Sequence, residues 1–343
     1  MPEVIEGVTT RPFRDDDQEE VLRLLTVALG TGPAGERSPA FFRWKHLDNP
    51  FGRSYMVVAE ADGQIVGLRA FLRWRLRAGE RLFAAVRAVD TATHPDHQGR
   101  GIFSMLTRQA LEDLAGEAAF VFNTPNASSL PGYLKMGWLT VGQVPVQIQV
   151  RKPIRFLRSL GSFGGAAEAA SDGRPPPVSA PSAAAGLEDA AGLGELLETM
   201  SVDQRLSTPR DVSYLRWRYG AAPHLGYHSV RIERRGRLEG MAIFRVRRRG
   251  TSWECAIAEL FTRHLDRATG RHLLTAVGRA TRVDHLTCSF LKGSDPERAA
   301  TLRGFVRSPK GPTLVVRPLA DDLVPEPTAL DSWRLSLGDL EVF

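Results

Sequence analysis

Cysteine is nearly absent: Cys255 and Cys288 are the two in 343 residues, and neither stands in a CxxC spacing or near a histidine cluster. That argues against a disulfide framework and against a metal site of the zinc type, and it fits a reducing, cytoplasmic compartment. Long apolar runs are missing as well. Nothing approaches the roughly 20 residues that a membrane helix requires, so no membrane association is expected. The first residues, Met1-Pro2-Glu3-Val4-Ile5-Glu6, lack the basic and then apolar order of a secretory signal. Lysine is scarce, at positions 45, 135, 152, 292 and 310, so arginine carries nearly all of the positive charge. A formal charge of +6 with a pI near 9.7 raises the question of nucleic acid. The arginines are dispersed among acids, apart from short runs such as Arg245 to Arg249, and no recognition motif accompanies them. The expectation is a solvated surface and no nucleic-acid partner. A moderate positive field would also help capture an anionic cofactor.

What is present points to two domains. A chain of 343 residues is too long for one ordinary core, and 43% hydrophobic with 24% charged residues is a globular composition. Between Gly161 and Gly186 the composition turns to Gly, Ala, Ser and the run Pro175-Pro176-Pro177, which buries little apolar surface. This stretch reads as a linker over 156–185, between a first domain of 1–155 and a second of 186–343. An internal repeat spans it. Phe42-Arg43-Trp44-Lys45 returns as Leu215-Arg216-Trp217-Arg218, Pro50 as Pro223, Gly63 and Gly67 as Gly236 and Gly240, and Phe71 as Phe244. Each pair is separated by 173 positions (217 minus 44, 240 minus 67). The two halves read as copies of one fold.

In the first copy, apolar residues at helical spacing predict a helix over Gln18 to Leu29 behind Asp15-Asp16-Asp17. Tyr55 to Ala61 and Gln64 to about Leu76 read as strands joined at Asp62-Gly63, a strong hairpin signal. Leu82 to Thr93 is a third strand, Ile102 to Ala115 a helix, Phe120 to Phe122 a short strand and Ser128 to Met136 a helix. Trp138 to Val150 supplies one or two closing strands. The order predicts an α/β fold, two such domains in tandem, each with a mixed, mostly antiparallel sheet flanked by helices.

The segment Val89-Asp90-Thr91-Ala92-Thr93-His94-Pro95-Asp96-His97-Gln98-Gly99-Arg100-Gly101-Ile102-Phe103 carries the chemistry. A strand enters a Gly-containing turn that opens directly into a helix. The first helical N–H groups have no internal acceptors and lie at the positive end of the dipole, and Arg100 adds a cation. Such a turn cradles a phosphate. It has neither the GxxxxGK[ST] nor the GxGxxG pattern of nucleotide loops. It resembles the diphosphate-binding motif [QR]xxGx[GA] of the GNAT superfamily of acetyl-CoA-dependent N-acetyltransferases, read here as Gln98-Gly99-Arg100-Gly101-Ile102-Phe103, with Phe103 where the family has Gly or Ala. Downstream, Asn126, Tyr133, Gly137 and Trp138 are similar to the N-x6-Y-x3-G-[FW] signature of the same family.

The resemblance covers roughly residues 8 to 150. It implies acetyl transfer from acetyl-CoA, without a metal, to a primary amine of a small-molecule or peptide acceptor. Backbone groups of Thr91, Ala92 and Thr93 would pair with the pantetheine arm, residues 98–103 would hold the diphosphate and Asn126 would contact the CoA arm. Tyr133 would protonate the departing thiolate. Asp90 is the nearest acidic candidate for the base that takes the amine's proton, with His94 or His97 as alternatives. Each residue also has a plainer reading: Asp90 as a structural hydrogen-bonding partner, Tyr133 as core, Gly137 as a helix C-cap. A non-catalytic acyl-CoA-binding or regulatory protein is the alternative function. In the second half, Gly270-Arg271-His272 is aligned with Gly99-Arg100-Gly101, and only Gly304-Phe305 remains of the tyrosine signature, so this copy is expected to be non-catalytic. Some family members use a terminal carboxylate as base, which would here be that of Phe343.

Overall fold

The computed structural model describes residues 5–30, 37–159, 175–200 and 203–340. In chain order these form β1 Thr9–Pro12, α1 Gln18–Leu29 and α2 Pro39–Phe42, which continues into a π-helical turn Arg43–Leu47. Next come β2 Tyr55–Ala61, β3 Gln64–Ala78, β4 Arg81–Thr93, α3 Ile102–Leu114, β5 Phe120–Asn123, α4 Leu130–Lys135 and β6 Leu139–Gln143. β7 Gln147–Val150, α5 Pro153–Ser159, α6 Ala183–Gly186, α7 Ala190–Glu198 and α8 Val212–Leu215 follow, with a second π-helical turn, Arg216–Gly220. The chain then forms β8 Tyr227–Arg234, β9 Arg237–Arg249, β10 Ser252–Thr262, α9 Arg267–Ala280, β11 His285–Cys288, α10 Asp295–Thr301, β12 Val306–Arg307, β13 Thr313–Pro318 and α11 Leu337–Leu340. Among the described residues no helix is long and apolar enough to cross a membrane.

Two compact units result. One holds the chain up to Gly142 with Thr313–Ser332, and the other holds Gln143–Pro312 with a segment from Trp333 onward. Each is α/β with its own mixed sheet, ordered β1-β2-β3-β4-β5-β13-β6 in the first and β12-β7-β11-β10-β9-β8 in the second. The units therefore interleave. β7, expected to close the first sheet, pairs with β11 and β12 in the second. β13 stands beside β5 in the first. The changes from unit to unit come after Gly142 and Pro312, not at the composition shift over 156–185. That stretch begins inside α5 and reaches α6, and its middle, 160–174, lies outside the described residues.

Local chemistry explains the shared plan. The β2–β3 turn places Asp62 and Gly63 at φ 50° and 74°, and the β8–β9 turn places Arg235 and Gly236 at 53° and 73°. A tight hairpin needs positive φ at both central positions, and glycine supplies one of them without strain. In the first unit α3 buries Ile102, Met105, Leu106, Ala110, Leu111 and Leu114 against β2 and β3. Gly67 allows the approach, since a Cβ there would lie 2.7 Å from Ile102 Cγ2 and 3.1 Å from Leu106 Cδ1. Gly240 repeats this in the second unit, where a Cβ would meet Thr269 Cγ2 at 2.8 Å and Leu273 Cδ1 at 3.0 Å. Each glycine replaces side-chain volume at the crossing of a helix over a sheet.

Candidate functional site

The first sheet opens next to α3. β4 and β5 run parallel from Ala85↔Phe120 to Arg87↔Phe122, and the pairing stops there. β4 continues to Thr93, held on its other edge by β3 through Leu68↔Ala92 and Gly67↔Thr93. The edge of β4 beyond Arg87 thus faces a split, and Thr91, Ala92 and Thr93 line it. A β-bulge sits at the same place: between Ala70↔Val89 and Leu68↔Ala92, β4 advances three residues while β3 advances two. Asp90, at the bulge, has φ 38°. A non-glycine residue in that region costs about 1–3 kcal/mol, so the neighbourhood must hold it there.

Asp90 is held by cations. Its Oδ2 accepts from Lys45 Nζ at 2.6 Å and lies 2.8 Å from His46 Nε2, and Arg37 Nη1 is 3.9 Å from Oδ1. Lys45 and His46 come from the π-helical turn and are buried. Ser54 Oγ lies 2.9 Å from His46 Nδ1, so a neutral imidazole donates to Asp90 and accepts from Ser54. Burial pushes the Asp90 carboxyl up, but Lys45 and His46 outweigh it and hold it well below the usual range. Burial pushes both Lys45 and His46 down, against the pull of Asp90. A carboxylate so strongly held is a poor proton acceptor. Asp90, the first candidate for the base, here anchors the bulge. The other candidates lie in the turn beyond: His94 Nδ1 accepts from Asp96 N at 3.4 Å, and His97 Nδ1 is 3.1 Å from Arg100 Nη1.

The turn into α3 keeps its N–H groups uncovered by side chains. The N-cap is Gly101, at φ 86°, with no side-chain cap, and Gly99 stands at φ 75° with open space where a Cβ would go. Gln98 Nε2 donates to the Thr93 carbonyl at 3.2 Å, which ties the turn to the strand end. Arg100 is exposed and donates to Glu6 O at 3.0 Å. The Ile102 side chain is buried under Gly67. Phe103 departs from the small residue of the motif because its ring packs edge-on to Tyr133, 6.1 Å between centroids, and beside Gly132.

Tyr133 and Asn126 lie on either side of the α4 start. Tyr133 is buried on α4, its ring 5.2 Å from that of Trp138, and its Oη accepts from Arg69 Nη1 at 3.1 Å. Asn126 is exposed. Its Oδ1 accepts from Ser128 N at 3.1 Å, Ser129 N at 2.9 Å and Ser129 Oγ at 3.0 Å. Gly137 follows the helix at φ 86°. Three residues at this site escaped the sequence reading. Lys45 carried a usable signal, the segment shared by both copies, whereas His46 stands just beyond that segment and Arg69 lies inside an ordinary strand pattern.

In the second unit the same place is closed. The α9 N-cap is Asp266, whose carboxylate accepts from Ala268 N at 3.3 Å and Thr269 N at 2.8 Å. An anionic side chain thus occupies the donors that a phosphate would need. Gly270-Arg271-His272 is not the counterpart of Gly99-Arg100-Gly101, as the sequence suggested; it lies within α9. Gly270 packs there on Ala299, 3.3 Å from an ideal Cβ, so the glycine serves helix packing and not the turn. The Phe343 carboxylate falls outside the described residues. Among the described residues no group of three or more His, Cys, Asp or Glu could hold a metal ion.

Residues 9–141 match the acetyltransferase (GNAT) domain family. A search of curated proteins finds no match. Among solved structures, the chain is similar to a conserved protein of unknown function, a probable N-acyltransferase, from Enterococcus faecalis V583, at 14% identity over 91% of this chain and 72% of that one, with a TM-score of 0.63. A GCN5-related N-acetyltransferase from Anabaena variabilis gives 13% over 91% and 73%, with a TM-score of 0.60. Eis1 from Mycobacterium abscessus gives 15% over 91% and 74%, with a TM-score of 0.55. At these identities the likeness is one of fold. Residues 9–141 are thus similar to a GNAT acetyltransferase domain, and the solved structures share their fold with this chain.

Proposed function

We propose that the protein moves an acetyl group from acetyl-CoA to a primary amine by direct attack, with no covalent enzyme intermediate. The α3 N-terminus carries this reading. Gly101 opens it without a side-chain cap, beside the split where β4 outruns β5. The diphosphate would lie on the backbone N–H groups of 99–103, with the exposed Arg100 adding charge. The pantetheine arm would add to the free edge of β4 at Thr91 and Ala92, with Asn126 donating from the opposite side. Gln98 keeps a structural part, holding the Thr93 carbonyl.

Backbone donors at the bulge would stabilise the tetrahedral oxyanion. Asp90 would fix that bulge through Lys45 and His46, and the amine's proton would leave to water. Tyr133 would give its phenolic proton to the sulfur as CoA departs. The acceptor is a small-molecule or peptide amine, and the protein works in the cytoplasm. Support for binding in this unit alone comes from Asp266, which fills the corresponding helix start in the second.

Thiol release from acetyl-CoA, followed against a panel of amines, tests the reaction. Amine-dependent release that falls about 10²–10⁴-fold in Tyr133→Phe supports it. Binding of acetyl-CoA with no amine-dependent release would support the alternative, a non-catalytic acyl-CoA-binding protein.

A further inference from the structure

The most unusual side chain near the split is one that the reaction above does not use. Arg69 on β3 is 0% exposed. Its Nη1 donates to Tyr133 Oη at 3.1 Å and to Thr91 Oγ1. Its Nε and Nη2 are buried with no acceptor. Among the described residues no carboxylate pairs with it. The guanidinium carbon instead lies 4.5 Å from the Phe71 ring centroid and 5.4 Å from those of Phe103 and Tyr133. Aromatic faces attract a cation, but they do not neutralise it. A full positive charge is thus buried against the phenol and at the wall of the split.

The second unit supplies an internal comparison. β2 and β3 pair Val57 with Arg69, and β8 and β9 pair Val230 with Ala242 at the same place in the repeat. Phe71 is retained there as Phe244, but the arginine is replaced by alanine. The tyrosine signature is lost from that half as well. The cation and the phenol are present together in one copy and absent together from the other.

We propose that Arg69 is a positioning residue for the departing thiol, acting through Tyr133; this rests on the acyl-transfer reading. As the amine nitrogen bonds to the acetyl carbon, the carbon–sulfur bond breaks and the sulfur takes the proton from Tyr133 Oη. The phenolate left behind faces the Arg69 guanidinium, which offsets its charge until water, carrying the amine's proton, returns one. Arg69 donates into an oxygen lone pair, so the phenolic O–H must point away from it. Thr91 fixes the other side of Nη1, which ties the phenol's position to the β4 edge.

The test compares Arg69→Met, Arg69→Lys, Tyr133→Phe and the Arg69→Met/Tyr133→Phe pair. Thiol release is measured across pH, with thermal melts and acetyl-CoA calorimetry on each protein. Arg69→Met is expected to lower kcat about 10–100-fold with KM for acetyl-CoA nearly unchanged. Arg69→Lys restores part of the rate, and in the Tyr133→Phe background Arg69→Met adds nothing further. Equal losses in both backgrounds, or a loss that falls on KM and not on kcat, would overturn the role of Arg69. Should Arg69→Met not fold, the Lys variant decides alone: a kcat identical to wild type would sink the proposal. A wild-type protein that releases no thiol would instead remove the acyl-transfer reading beneath it.

Discussion

Asp90 on β4 lies 2.6 Å from the Lys45 ammonium, and Glu259 on β10 lies 2.7 Å from the Tyr219 hydroxyl. In each unit a π-helical turn thus braces a carboxylate on the strand that leads toward the sheet-packed helix. Lys45 and Asp90 are a desolvated ion pair, for which loss of one partner is more damaging than loss of both. Lys45→Met should destabilise the first unit by about 3–5 kcal/mol by leaving the largely desolvated Asp90 without its main cation. The Lys45→Met/Asp90→Asn pair should recover a large part of that. Urea unfolding of the four proteins measures the coupling, and additive losses would contradict it.

The same pair sets an acid limb. Asp90 binds its proton more weakly in the folded chain than in the unfolded one. Its contribution is therefore complete above the unfolded carboxylate value, about 3.9, and is lost as pH falls below it. Glu254 acts in the same direction, since burial pushes it up but Arg247 and Arg249 bring it down to about 2. Stability should decline below about pH 4, and Asp90→Asn should flatten the slope by up to about 1.4 kcal/mol per pH unit. Denaturant midpoints across pH 2.5–6 show the change as a difference from wild type, and an unchanged slope would contradict it.

Gly67 and Gly240 hold equivalent places in the two units, which allows the units to be compared. A Cβ on Gly67 would press on Ile102 and Leu106 at the start of α3. Gly67→Ala should cost about 1–3 kcal/mol by overpacking and should weaken acetyl-CoA binding by moving the helix start. Gly240→Ala meets similar crowding, from Thr269 and Leu273, and should destabilise without touching affinity. Melting curves with calorimetry on both variants check the contrast. Equal losses of affinity would mean that cofactor binding is not confined to the first unit.

Periodicity made the local elements legible. α1 occupies Gln18–Leu29 as its apolar spacing predicted, and β2, β4 and α3 fall within a residue of their expected ends. The hairpin dipeptides and repeated glycines were readable because each answers a backbone demand. The exchange of β7 and β13 between sheets was not readable, because a short strand carries no mark of its partner. Gly270 misled for a related reason: a glycine chosen for helix packing looks the same in sequence as one chosen for a turn. Arg69 was hidden because Gly-Leu-Arg-Ala-Phe reads as ordinary alternation, which places its side chain on a face without saying what lies opposite. The glycine-containing turn was legible because its glycines, Arg100 and its helix start are contiguous in the chain.

Acetyl-CoA calorimetry at fixed salt, on wild type and on Gly101→Trp, tests the central claim most directly. Gly101 opens α3 at φ 86° with no side-chain cap, and an indole there would both strain the turn and cover the N–H groups. Binding by the wild type that is abolished in Gly101→Trp, with the melt otherwise retained, is the predicted result. Equal binding by both proteins would contradict the assignment of the cofactor to this turn, and no binding by either to acetyl-CoA or a longer acyl-CoA would contradict the transferase itself.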